Sequence, residues 1–154
     1  VRLVGSEMCI RDRYISSEMA VRYSNAPDYP EVAKRALAQM VKQTGDAKFD
    51  ERDMMKRGVI VRHLILPGHI KESKEAIRYL YETYGDQIYI SIMNQYTPMP
   101  GIEKRFKNLG RTITQKEYDE VVDYAIDLGV ENGFIQEGET AKESFIPQFD
   151  DTGL

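Results

Sequence analysis

Gly58-Val59-Ile60-Val61-Arg62-His63-Leu64-Ile65-Leu66, closed by Pro67-Gly68, decides how this chain folds. The run is apolar on both faces and β-branched in its first half. Strands of this kind lie in the middle of parallel sheets, covered on both sides. Arg62 interrupts the run, and a charge there is costly unless it is paired. His63 falls on the opposite strand face from Arg62 and is expected to pack under a helix.

Outward from this strand, the pattern alternates. Lys71 to Tyr84 predicts a helix whose apolar stripe is Ala76, Ile77, Leu80, Tyr81 and Tyr84, with Gly85 as its stop. Tyr81 and Tyr84 are expected to be buried and Tyr79 to sit nearer the rim. Ile88 to Asn94 predicts a second strand. Ile88, Ile90 and Ile92 share one face, suited to helices. Tyr89, Ser91, Met93 and Gln95 share the other, suited to a barrel lumen or a ligand.

Upstream, Lys48 to Lys56 reads as a loop or small hairpin. Pro30 opens a helix carrying Ala33, Ala36, Leu37, Met40 and Val41 and ending at Gly45. Ser24 to Tyr29 is a turn, and a short helix runs from Ser16 to about Tyr23. Downstream, Tyr96 to Ile113 is irregular. Thr114-Gln115-Lys116-Glu117 is a capping box, followed by the helical face Tyr118, Val121, Val122, Ala125 and Leu128 and the stop Gly129. Gly133 to Gln136 is a short strand. The tail to Leu154 reads as loose, with Phe145, Ile146 and Phe149 able to dock it. Strands alternating with helices imply βαβ units, a parallel sheet and an α/β fold. Sites in such folds lie at the carboxyl ends of the strands. Here those ends are Leu66 to His69 and Asn94 to Thr97.

The first residues read differently. Leu3 to Arg13 resembles one reading frame of a transposase-type sequencing adapter, and residues 1–13 are set aside from fold reasoning as a foreign, adapter-derived leader. Cys9, the one cysteine of the 154 residues, falls inside it and carries no information on redox compartment. The net charge of −4 and the lack of a basic stripe argue against a nucleic-acid partner. No apolar run reaches the length of a membrane span, so no membrane partner is expected.

At the two strand ends a family becomes recognisable. Met55 to His69 and Tyr89 to Met99 resemble consecutive strands of radical S-adenosylmethionine iron–sulfur proteins similar to pyruvate formate-lyase activating enzyme. Tyr23 to Tyr29, Gly133 to Gln136 and Phe145 to Asp150 also fit, so the likeness spans Tyr14 to Asp150. It implies residues 14–150 as the C-terminal part of a partial (β/α)6, TIM-like barrel truncated at its N-terminus, with 151–154 as a tail. The intact parent is then expected to bind a [4Fe–4S] cluster and S-adenosylmethionine and to generate a 5′-deoxyadenosyl radical, with a glycyl-radical enzyme as a candidate partner. The chain departs from the family in having no Cys-x-x-x-Cys-x-x-Cys triplet, so it is expected to hold no cluster and to be inactive alone.

The resemblance implies cofactor contacts at Arg62, Gln95 and Asn94, and no catalytic or metal-ligating residue in this stretch. Arg62 is read either as a partner of the cofactor carboxylate or a catalytic acid, or as half of a structural ion pair. Gln95 aligns with a nucleoside-contacting position; the alternative is an amide satisfying loop backbone. Asn94 lies one residue off that face and suits a turn. His63 and His69 lack the spacing and third donor of a metal site, though His69 can face the site. Two further readings stand beside the enzyme: a non-catalytic α/β module binding a nucleotide or small acid, and a docking fragment using Tyr96 to Ile113. A truncated barrel exposes a sheet edge, so poor solubility is expected.

Overall fold

The run around Arg62 forms strand β3 (Met55–Leu64), an interior strand of a six-stranded sheet. The computed structural model describes residues 6–12, 14–53, 55–137 and 142–145, with 6–12, 136–137 and 142–145 described in backbone only. In chain order the other elements are β1 (Ser6–Asp12), α1 (Ser17–Ser24), α2 (Tyr29–Thr44), β2 (Lys48–Phe49), α3 (Ile70–Tyr84), β4 (Ile88–Met93), α4 (Gln115–Leu128), β5 (Gly133–Glu137) and β6 (Lys142–Phe145). The sheet runs β1-β3-β4-β5-β6. The pairs β1–β3, β3–β4 and β4–β5 are parallel, β6 is antiparallel to β5, and β2 is antiparallel to the start of β3. The parallel strands curl into a half barrel of α/β class.

The register separates two faces. Val61 lies beside Ile90 and His63 beside Ile92, while Arg62 lies beside Ser91 and Leu64 beside Met93. The first face joins Val59, Val61, Ile88, Ile90, Ile92 and Ile135 to Leu37, Ile77, Leu80, Tyr118, Val121 and Ala125 of the helices in the main core. His63 belongs to this face. It is fully buried, with Nε2 2.9 Å from Ser73 Oγ of α3, so it packs under a helix as expected. A second, smaller core gathers Tyr14, Met19, Ala20, Leu66 and Leu109 at the carboxyl ends of the strands.

Local chemistry sets the helix ends. Ser16 caps α1 by accepting from the Met19 N–H, and Asn25 ends it in the left-handed conformation. Thr114 and Glu117 form both halves of the capping box on α4. α2 begins at Tyr29, one residue before Pro30, which fits within its first turn.

Ser6–Asp12, part of the leader set aside as foreign, pairs with Arg57–His63 over seven successive positions. An open parallel edge satisfies its backbone groups with any extended neighbour. β3 begins three residues before Gly58, because the Lys48–Phe49 hairpin strand extends its ladder down to Met55. The tail is not wholly loose, since Lys142–Phe145 adds a strand. The expected docking of Phe145, Ile146 and Phe149 concerns side chains outside the described residues. Tyr81 and Tyr84 are half-buried like Tyr79, because Ser73, Ala76, Ile77 and Leu80 hold the centre of the α3 stripe. The tyrosines flank it, partly buried against the main core.

Gly58 is the tight point of the hairpin. Its φ is +143°, and a Cβ there meets Ala47 Cα at 2.9 Å and Ala47 Cβ at 3.0 Å. Gly58→Ala is expected to cost about 1–3 kcal/mol through strain and overpacking, read as a lower midpoint in urea unfolding with an unchanged slope. An unchanged midpoint contradicts the close approach.

Candidate functional site

The lumen face of the sheet has an aromatic floor with a cavity above it. At the floor, Phe49 packs edge-on against Tyr89 at 5.2 Å between ring centroids, and Tyr89 meets Phe134 at 5.5 Å. Burial, with the nearby Asp86 charge, pushes the Tyr89 phenol up from its ordinary value and keeps it neutral. Above this floor, at the carboxyl ends of β3 and β4, lies a cavity of about 440 Å³, within the usual range for small-molecule sites.

Each wall has a sequence reason. β3 and its exit supply Arg62, Leu64 and Leu66; β4 and its exit supply Met93 and Gln95. Alternation along parallel neighbours turns Arg62, Leu64 and Met93 inward, while Leu66 and Gln95 follow the end of the ladder. Tyr14, Tyr23 and Ser24 come from the α1 region. Two backbone N–H groups, Ile15 and Ser16, donate to Glu72 Oε1 of α3, both at 2.7 Å, and so fix α1 against α3. The roof is the irregular segment 94–114, here called the strap, which contributes Tyr96, Thr97, Met99, Ile102, Phe106 and Leu109.

The strap is tied down at two places. At the first, Asn108 Nδ2 donates to Tyr23 Oη at 3.0 Å, and Tyr23 Oη and Asn108 Nδ2 lie 2.7 and 2.9 Å from His69 Nε2. Tyr23 also packs edge-on against Phe106 at 4.8 Å and against the His69 ring at 5.3 Å. At the second, Arg111 forms a two-pronged ion pair with Glu117, both contacts 2.8 Å. Glu117 further accepts from the Thr114 N–H at 2.8 Å and from the Gly68 N–H at 3.0 Å. One carboxylate thus joins the strap, the start of α4 and the turn after β3.

Of the residues singled out from sequence, Arg62 and Gln95 line the same cavity. Arg62 is half-buried and Gln95 exposed. Asn94 is half-buried and stands outside that lining. His69 sits behind Tyr23, which meets the cavity itself. Sequence reading missed Tyr23, Asn108 and the threefold role of Glu117. Tyr23 and Asn108 are 85 positions apart, so no local pattern links them. Only the capping-box signature marked Glu117.

The Arg111 guanidinium, foremost, with the Thr114 and Gly68 N–H bonds, holds the Glu117 carboxyl at about 2, against 4.5 for an unperturbed one. A depressed carboxylate contributes stability above its unfolded value, and that stability drains as pH falls from about 4.5 toward 2. Glu117→Ala is expected to cost about 1 kcal/mol, the ordinary worth of a cap, and to flatten the acid limb of stability against pH between those values. An identical acid limb in the variant contradicts the assignment. Comparison with family models, with curated proteins and with solved structures finds no match for the chain.

Proposed function

We propose that this chain is the C-terminal part of a radical S-adenosylmethionine enzyme, and that its strand-end cavity receives the nucleoside and carboxylate of that cofactor. The observation that supports this reading most is convergence. Two adjoining parallel strands deliver Arg62 and Gln95 to one cavity of suitable size at their carboxyl ends. An arginine there offers a planar fork to a carboxylate. Gln95 offers both a donor and an acceptor to a ribose or base edge. Tyr14, Tyr23 and Tyr96 provide flat faces around the same space. The full cofactor, when bound to a reduced cluster, supplies a carbon-centred radical.

The iron–sulfur cluster does not fit the residues present. It requires three thiolates, and this sequence has a single cysteine, Cys9. No radical step is therefore assigned to the chain itself. In the proposed parent, the cluster ligands lie in sequence upstream of Tyr14, and a glycyl-radical enzyme is a candidate partner. No helix among the described residues is long and apolar enough to cross a membrane; a cytoplasmic setting belongs to the same proposal. The missing thiolates favour one second reading, a non-catalytic module that holds a nucleotide or small acid in this cavity.

Titration calorimetry with S-adenosylmethionine tests the first reading directly. Binding is expected, and Arg62→Ala is expected to weaken it about tenfold or more, as loss of a charge-assisted hydrogen bond does. Tighter binding of adenosine monophosphate or a simple dicarboxylate than of S-adenosylmethionine favours the non-catalytic module. Equal affinity of wild type and Arg62→Ala removes the cavity from either role.

A further inference from the structure

Tyr23, His69 and Asn108 form a closed triangle of polar atoms beside the cavity, with sides of 2.7, 2.9 and 3.0 Å. Its hydrogens can be assigned. Asn108 Nδ2 is a donor only, and it donates to Tyr23 Oη. The phenol proton is then directed at His69 Nε2, which requires that nitrogen to be unprotonated, with the ring proton on Nδ1. Asn108 Nδ2 stands 2.9 Å from the same nitrogen and shares one N–H between it and Tyr23 Oη. A proton on Nε2 reverses the His69–Tyr23 bond and sets N–H against N–H on the Asn108 side of the triangle.

The three corners belong to different elements. Tyr23 is on α1, His69 precedes α3, and Asn108 is on the strap. We propose that this triangle is a proton-sensitive latch, in which unprotonated His69 holds the strap over the cavity and protonation of His69 lets it lift. The strap's other tether, Arg111 to Glu117, keeps its charges far below neutral pH. Lifting therefore frees the Asn108 part of the strap while the Arg111 end stays fastened.

The groups facing His69 come from three elements. α1 brings Arg22 and Tyr23, α3 brings its own Glu72, and the strap brings Asn108. Burial foremost, then the Arg22 charge, lowers the His69 pKa from its ordinary 6.5, and Glu72 opposes them in part. A lowered histidine contributes stability above its unfolded value and loses it as pH falls through the folded one. The latch is accordingly shut at neutral pH and opens on acidification. Its effect on ligand affinity rests on the cavity reading proposed above; its effect on the strap does not.

Hydrogen–deuterium exchange on the full chain, without ligand, tests the latch. Strap amides are compared with their intrinsic rates at about pH 7.5 and about pH 5.5, on either side of an ordinary histidine pKa. The Phe106 and Leu109 N–H groups bond to Ile102 O and Phe106 O. Their protection is expected to fall about tenfold at the lower pH, while α4 amides keep theirs. His69→Gln, whose amide oxygen accepts at either pH, is expected to show no such fall. Asn108→Asp, which gives a protonated His69 an anionic acceptor, is expected to keep the strap protected at about pH 5.5. No fall in the wild type, or the same fall in both variants, overturns the latch. S-adenosylmethionine calorimetry at the two pH values separates the claims. No binding at either pH sinks the cofactor reading and leaves the exchange result standing.

Discussion

The register between β3 and β4 is the constraint from which the site follows. Val61 pairs with Ile90 and Arg62 with Ser91, so each strand sends one residue to the helices and the next to the lumen. A slip of one position exchanges the faces. If β4 slips, Tyr89 and Ser91 then lie beneath the helices and its isoleucines turn into the lumen. Burial of the isoleucine face, worth about 1.5–3 kcal/mol per fully buried side chain, makes such a slip prohibitive. The same pairing delivers Arg62 and Gln95 to one cavity. Position of the polar groups is thus a by-product of how apolar ones are hidden.

The cavity's roof is stabilised in another way. The strap has little regular structure, only short turns at Ile102–Lys104 and Lys107–Gly110. It is held by the small core around Tyr14, Leu66 and Leu109 and by two polar tethers. That core is distinct from the large one between sheet and helices. Segments with few buried apolar partners open at lower free energy than the global fold. The elements framing the cavity therefore differ in rigidity: the strand walls are part of the main core, whereas the roof meets it only through Ile113 near its end.

Much of this arrangement was legible in the sequence. The alternation in Ile88–Met93 gave both faces correctly, and the β-branched run around Arg62 marked the central strand. Thr114 and Glu117 announced the start of α4, because capping is a local interaction across three positions. What stayed hidden was non-local. The Tyr23–His69–Asn108 triangle joins three segments far apart in sequence, each unremarkable alone. Glu117 was read as a cap, but its bond to the Gly68 N–H spans 49 positions. The half-burial of Tyr81 and Tyr84 depended on where the centre of the α3 stripe fell, which small residues such as Ser73 and Ala76 decided.

The β1 lane differs in kind from the other strands. A segment read as foreign from its residues nonetheless matches β3 across seven positions without a shift. Ladder bonds are made by N–H and C=O groups that every residue but proline carries in full. That flank of β3 consequently reads outline rather than spelling. A peptide of unrelated composition, supplied as a separate molecule, has the same backbone credentials for the berth as residues 6–12, whereas a single proline facing β3 does not.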